Sequence, residues 1–275
     1  EALLSTLGNN GVQHGIREET LRSFEDSPRY NTAILAAEGT PAEDGADARI
    51  EYSFNTDRAP ILREKNGRVD FRELNLVENV VAGQIVARKI PAGEGREGRT
   101  VTGRMLASKA GRDTLLNVGK NVRLAEDGMT AIAEINGQVL LVQGKVNVEP
   151  VYTGSGDVNL HTGNILFLGG VIVKGSIDDG FTVKAAGNIE VYGNVGKAQL
   201  EAEGDIVVHQ GILGKGGGKV SAGKSVFAKF IEHARVEAGE NVVASEGLIH
   251  SFVDANRRIV CQGKRASIVG GRLRA

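Results

Sequence analysis

Residues 183–191 read VKAAGNIEV, and the pattern returns without gaps as LEAEGDIVV (200–208), VSAGKSVFA (220–228) and VEAGENVVA (236–244). Each copy is an aliphatic residue, a variable one, Ala, three turn-forming residues, Ile or Val, a variable one, then Val or Ala. The copies start 17, 20 and 16 residues apart. A looser copy, VNLHTGNILF (158–167), has one extra corner residue, and a degenerate copy begins near Ile259. Alternation inside each run is period two, which predicts strands of about three residues. The glycine with Asn, Asp or Lys between the runs supplies a corner. Short strands recurring at this interval, with no helix between them, are satisfied by a solenoid. Each copy makes one coil, and successive coils stack their strands in parallel at ~4.8 Å. A single coil cannot bury its own apolar face; only stacking does that. The pattern therefore predicts a parallel β-helix, and its irregular coil length favours the right-handed form over the left-handed hexapeptide helix.

The pattern also assigns faces. Val183, Leu200, Val220 and Val236 are expected to form one inward column, with Ala185, Ala202, Ala222 and Ala238 beside it. Ile189, Ile206, Val226 and Val242 form a third, and Val191, Val208, Ala228 and Ala244 a fourth. Between the first two columns the outward residues are polar: Lys184, Glu201, Ser221 and Glu237. Between the other two they are Glu190, Val207, Phe227 and Val243, with Leu166 assigned from the looser copy. Leu166, Val207, Phe227 and Val243 thus make an exposed apolar stripe that needs a cover. Either the first half of the chain or a crossing loop covers it, or it is an oligomer or partner interface. Aliphatic residues with one Phe suit packing better than chemistry.

The preceding half has a different grammar. Residues 1–149 read as a smaller α+β N-terminal domain before a β-helix at 150–275, in a chain of 275 residues that is mainly β. IREETLRSFED (16–26) places Ile16, Leu21 and Phe24 for a short amphipathic helix with acidic residues in its first turn, and Pro28 lies beyond its end. Residues 38–48 read as a loop and RIEYSF (49–54) as a strand. Asp127-Gly128 and Asn136-Gly137 are hairpin signals. PAGEGREGRTVTG (91–103) could cradle an anion, although an arginine-studded loop of this kind is more commonly just solvated.

Composition excludes several classes. Lys+Arg 33 against Asp+Glu 34 leaves a net charge of −1, so no basic excess draws the chain to nucleic acid or an anionic membrane. The single Cys261 precludes an internal disulfide and suits a reducing compartment. No apolar run approaches the ~18 residues that span a bilayer. Glu1 in place of an initiating Met is expected of a fragment or a processed product, and a cytoplasmic location fits best. Aromatic residues make up 4% with no Trp, so the core must be aliphatic.

Candidate chemistry is thin. GILGKGGGKV (211–220) invites a phosphate-loop reading, but Leu213 stands where the loop needs its first glycine. Val220 follows Lys219 where Ser or Thr is needed, and a strand follows where a helix is required. The stretch instead reads as a long corner that delivers Val220 into its column, with Lys215 and Lys219 pointing to solvent, available to a partner. His14, His161, His209, His233 and His250 show no paired ligand spacing, so no metal site or cofactor is expected. Asp178 and Asp179 form the one adjacent carboxylate pair worth weighing; with Lys174 they could serve a carbohydrate-active β-helix, though Asp-Asp-Gly before a strand is first of all a turn. Nothing in these patterns demands an enzyme.

GRVDFREL (67–74), GQIVARKIPAGEGREGRTVTG (83–103), the run from Gly156 to Val195, GILGKGGGKVSAGKSVFAKFIEHARV (211–236) and IVGG (268–271) together resemble the bacterial flagellar assembly protein A family. The resemblance follows the same order over nearly the whole chain. It implies an N-terminal mixed domain followed by a right-handed β-helix, usually with a coiled-coil C-terminal tail; a sequence that stops at Ala275 before such a tail is expected of a trimmed chain. It further implies a non-enzymatic cytoplasmic role in flagellar assembly, motility or polar placement at the cell pole. The glucose-specific IIA component of the phosphotransferase system is the implied protein partner. The resulting expectation is a scaffold or regulator that self-associates as a homo-oligomer, without membrane insertion. A carbohydrate-active enzyme and a bactofilin-like filament-forming cytoskeletal solenoid are the alternatives.

Overall fold

The computed structural model describes residues 2–28, 31–56, 64–65, 68–69 and 77–275, so most of GRVDFREL lies outside it. The protein is mainly β, 47% strand and 7% helix, with a parallel β-solenoid of about seven coils at 151–274. It separates into two compact units, one of residues 1–51 and 89–116, the other of 52–88 and 117–275.

The first unit has helices at Ala2–Asn9 and Glu18–Asp26. In the second, Glu18 and Glu19 occupy the favourable first turn and Leu21 is buried. Several amides of the glycine-rich loop 91–103 are already paired within the protein rather than offered to an anion. Arg96 N–H donates to Glu43, Gly93 N–H to Ala46 and Arg99 N–H to Thr40. The loop packs so closely on 40–46 that a Cβ on Gly45 would lie 1.9 Å from the Gly93 carbonyl oxygen.

In the second unit the Asp127-Gly128 turn joins Val122–Leu124 to Thr130–Ala133 as predicted, with Gly128 at φ 63°. Asn136-Gly137 is not a hairpin turn. Thr130–Ala133 pairs with the Ile85–Ile90 strand at Ile85, Ala87 and Arg88, whereas Gly137–Val142 pairs with Lys145–Glu149. The tight turn is Gln143-Gly144, where both residues have positive φ (50° and 72°). Gly137 serves a different need: a Cβ there would stand 2.3 Å from the Glu149 carbonyl. The Asn136 side chain accepts from Ala82 N–H.

The solenoid has three sides. The first stacks Ile165–Phe167, Thr182–Ala185, Gln199–Ala202, residues 219–222 and 235–238, Phe252–Ala255 and Arg272–Arg274. The second stacks Val151–Gly154, Gly170–Val173, Ile189–Val191, then residues 206–208, 226–228, 242–244 and 258–261. All four inward columns expected from the repeat are present in register and buried. Each Ala of the narrow column follows Phe167, whose fully buried ring fills the first coil. The third side was not anticipated. It carries one buried inward residue per coil, Val158, Ile177, Val195, Ile212, Ile231 and Leu248, and ends on Ile268, which pairs with Leu248 but is exposed in the last coil. Strands also run longer than three residues where they bend through corners, as in Ile206–Ala222 and Val226–Ala238.

Corner side chains satisfy the turning backbone. Asn188 accepts from Asp205 N–H and Asp205 from Ser225 N–H; likewise Asp157 accepts from Ser176 N–H. These polar ladders are why Asn, Asp and Ser recur between the runs. At the start of the stack Asn79 acts as a substitute strand. Its amide donates to the Leu166 carbonyl and its carbonyl accepts from Leu168 N–H.

GILGKGGGKV divides between two roles. Gly211–Leu213 belong to the third side, opposite Phe230–Glu232, and the register slips between Leu213 and Gly218. Lys215 and Gly216 turn the corner at φ 45° and 76°, and Val220 enters its column beside Leu200. Lys215 is not left free in solvent: its Nζ lies 2.7 Å from Asp179 Oδ2, and Lys219 Nζ lies 3.7 Å from Glu237.

Candidate functional site

The outward column of the second side runs Thr153, Ile172, Glu190, Val207, Phe227, Val243, Val260. Three of the four stripe residues expected from sequence, Val207, Phe227 and Val243, are therefore adjacent. Phe227 is 39% exposed, and Val207 and Val243 are half-buried. Leu166 stands elsewhere. It pairs with Lys184 and so heads the polar column Lys184, Glu201, Ser221, Glu237 of the first side. The looser copy crosses a corner: its Val158 belongs to the third side and its Ile165–Phe167 to the first. Val260 extends the stripe at one end, and at the other Ile172 stands beyond Glu190.

A polar ladder borders it. Lys174, Tyr192 and His209 each follow the last inward Val of the second side, in successive coils. Lys174 Nζ sits 3.9 Å from the Tyr192 ring centroid, and Tyr192 stacks on His209 at 4.5 Å. His209 Nε2 is 2.8 Å from Glu190 Oε1. That hydrogen bond is the main cause holding the Glu190 carboxyl below the usual range. The repeat position after the inward Val would have flagged this ladder; its stacking was not legible.

Asp178 and Asp179 line a groove of ≈ 660 Å³ with Asn159, His161, Phe181 and Lys215. Lys174 does not join them, being engaged with Tyr192. Asp179 also accepts from Lys197 N–H. The Lys215 ammonium, then that amide, hold its pKa below 3.8. A carboxylate so stabilised remains ionised at neutral pH and is a poor general acid. Because its folded pKa is depressed, the stability it contributes is present above about pH 3.8 and is lost as pH falls through the lower folded value. Lys215→Met is expected to return the Asp179 titration midpoint toward the ordinary carboxylate value, read by carboxyl NMR.

The remaining histidines sit at corners or loops. His233 and His250 stack at 5.2 Å in left-handed corner conformations, and His14 meets Thr40. Among the described residues no three His, Cys, Asp or Glu side chains gather as a metal cluster, and no helix is long and apolar enough to cross a membrane.

These features define a parallel β-solenoid whose sides offer an apolar column, a cation–aromatic ladder and shallow grooves. Residues 1–144 match the Flagellar Assembly Protein A N-terminal region and residues 150–275 the Flagellar Assembly Protein A beta solenoid domain. The chain belongs to the flagellar assembly protein A family, and its role is related to flagellar assembly. No curated protein and no solved structure matches it.

Proposed function

We propose that the protein is a non-enzymatic scaffold or regulator of flagellar assembly, motility or polar placement, acting in the cytoplasm by protein–protein contact and self-association. The observation that carries this reading is the outward apolar column Ile172, Val207, Phe227, Val243, Val260 on a rigid side of the solenoid. Such a column loses water-exposed apolar area when a partner covers it. The glucose-specific IIA component of the phosphotransferase system is the partner we assign, which would couple sugar status to flagellation. End-to-end polymerisation is not part of this reading, because Asn79 already occupies the first coil's edge.

The test is a Val207→Glu, Phe227→Glu double variant. Both side chains point outward, so the melting curve is expected to stay close to that of the parent. Affinity for the IIA component, measured by calorimetry, is expected to fall tenfold or more, about 1.4 kcal/mol. The elution volume should shift toward a smaller species. Unchanged affinity together with unchanged elution sinks the proposal.

A further inference from the structure

Residues 255–275 hold six cations, Arg257, Arg258, Lys264, Arg265, Arg272 and Arg274, and no acidic residue. In the earlier coils half of the cations are ion-paired, Lys184 with Glu201, Lys215 with Asp179, and Lys219 and Arg235 with Glu237, and in the last Arg257 reaches Glu240. Neither Lys264 nor Arg265 has an ion-pair partner among the described residues. Both stand on the corner after the second side, in the turn that lengthens the final coil.

Beneath that turn is a pocket of ≈ 750 Å³, lined by Phe230, Ser245, Glu246, Gly247, Ile249 and the two cations. Its cause is legible in the column Gly211, Phe230, Gly247, Ser267, one residue from each of four coils. The Phe230 ring lies over Gly211, where a Cβ would meet ring atoms at 2.1 Å. On its other side Gly247 brings no side chain, so the coil above leaves a gap. A Cβ on Gly247 would find its nearest atom, Ser267 O, at 3.2 Å and none of the Phe230 ring among its close neighbours.

The pocket volume is that of a small-ligand site. Two unpaired cations and the Ser245 hydroxyl favour an anion with several acceptor oxygens. Phe230 and Ile249 supply an apolar wall suited to a flat ring. Glu246 repels a bare anion and calls for donors on the same ligand, such as hydroxyl or amino groups. We propose that this pocket binds a 5′-mononucleotide, its phosphate on Lys264 and Arg265, its base against Phe230 and its donors toward Glu246. The site is on the corner that follows the second side, not on the outward face that carries the apolar column, and does not depend on the partner reading above.

The test is calorimetry on the whole chain with AMP, GMP, CMP and UMP, beside adenosine, ribose 5-phosphate and inorganic phosphate. At least one nucleotide is expected to bind with a Kd below about 1 mM, and the phosphate-free or base-free fragments at least tenfold more weakly. Lys264→Glu and Arg265→Glu should each weaken binding tenfold or more, with Lys264→Gln as a milder variant of the same exposed turn. Lys215→Met, at the other corner, should leave it unchanged. The proposal is overturned if none of the four nucleotides binds at millimolar concentration. It is overturned equally if inorganic phosphate binds as tightly, or if a correctly melting Lys264→Glu variant binds like the parent.

Discussion

Leu200→Ala is expected to lower the unfolding free energy of the solenoid by about 2–5 kcal/mol, read as a fall in the urea midpoint. Leu200 is fully buried between Val183 and Val220 in the first inward column. Removing its branched end loses transfer free energy and leaves a void. The void cannot close, because the coils on either side are held at strand spacing by the backbone ladder. Leu166→Ala, with 64% of the residue exposed on the outer face of the same side, should change stability by less than about 0.5 kcal/mol. Since each coil contacts only its neighbours, the slope of the transition is informative as well. An unchanged slope means that the coils still unfold together, and a shallower one means that the stack breaks at the Leu200 coil. A Leu200→Ala midpoint equal to that of Leu166→Ala would refute the assignment of Leu200 to the core.

The same columns decide how much of the fold is legible in the sequence. The first and second sides each contain three-residue runs with two inward positions, Val-x-Ala and Ile-x-Val, and alternation over such a run is visible in sequence. The third side has a single inward residue per coil, as at Val195 and Ile212, and one residue carries no period. Missing it shifted the register of the looser copy and put Leu166 on the wrong side. The apolar column was legible at Val207, Phe227 and Val243 because it lies between two visible inward columns. Contacts made through corners were not: Lys174 over Tyr192 and Lys215 on Asp179 depend on how a turn aims its flanking side chains. The pocket beside Phe230 was hidden for the same reason, since its walls come from the third side and a corner.

The contrast between Gly239 and Gly128 separates the two uses of glycine in this chain. At Gly239 a Cβ would stand 2.0 Å from the Gly223 carbonyl oxygen of the previous coil, and the backbone φ is not left-handed. Its N–H donates to Ala222, and Gly223 N–H donates in turn to Ala202 one coil earlier, so the corner cannot swing outward without breaking the ladder. Gly239→Ala is therefore expected to cost about 3 kcal/mol through overpacking. At Gly128 a Cβ would meet nothing within 4 Å, but φ is 63°. There Ala is expected to cost about 1–2 kcal/mol through backbone conformation alone. Asn is the discriminating substitution, because it tolerates the left-handed region yet still brings a Cβ. Gly128→Asn should recover most of the loss seen with Ala, whereas Gly239→Asn should be at least as damaging as Gly239→Ala. Chemical denaturation of the four variants decides it: recovery by Asn at 239 would mean that the corner is set by conformation rather than by the approach of one coil to the next.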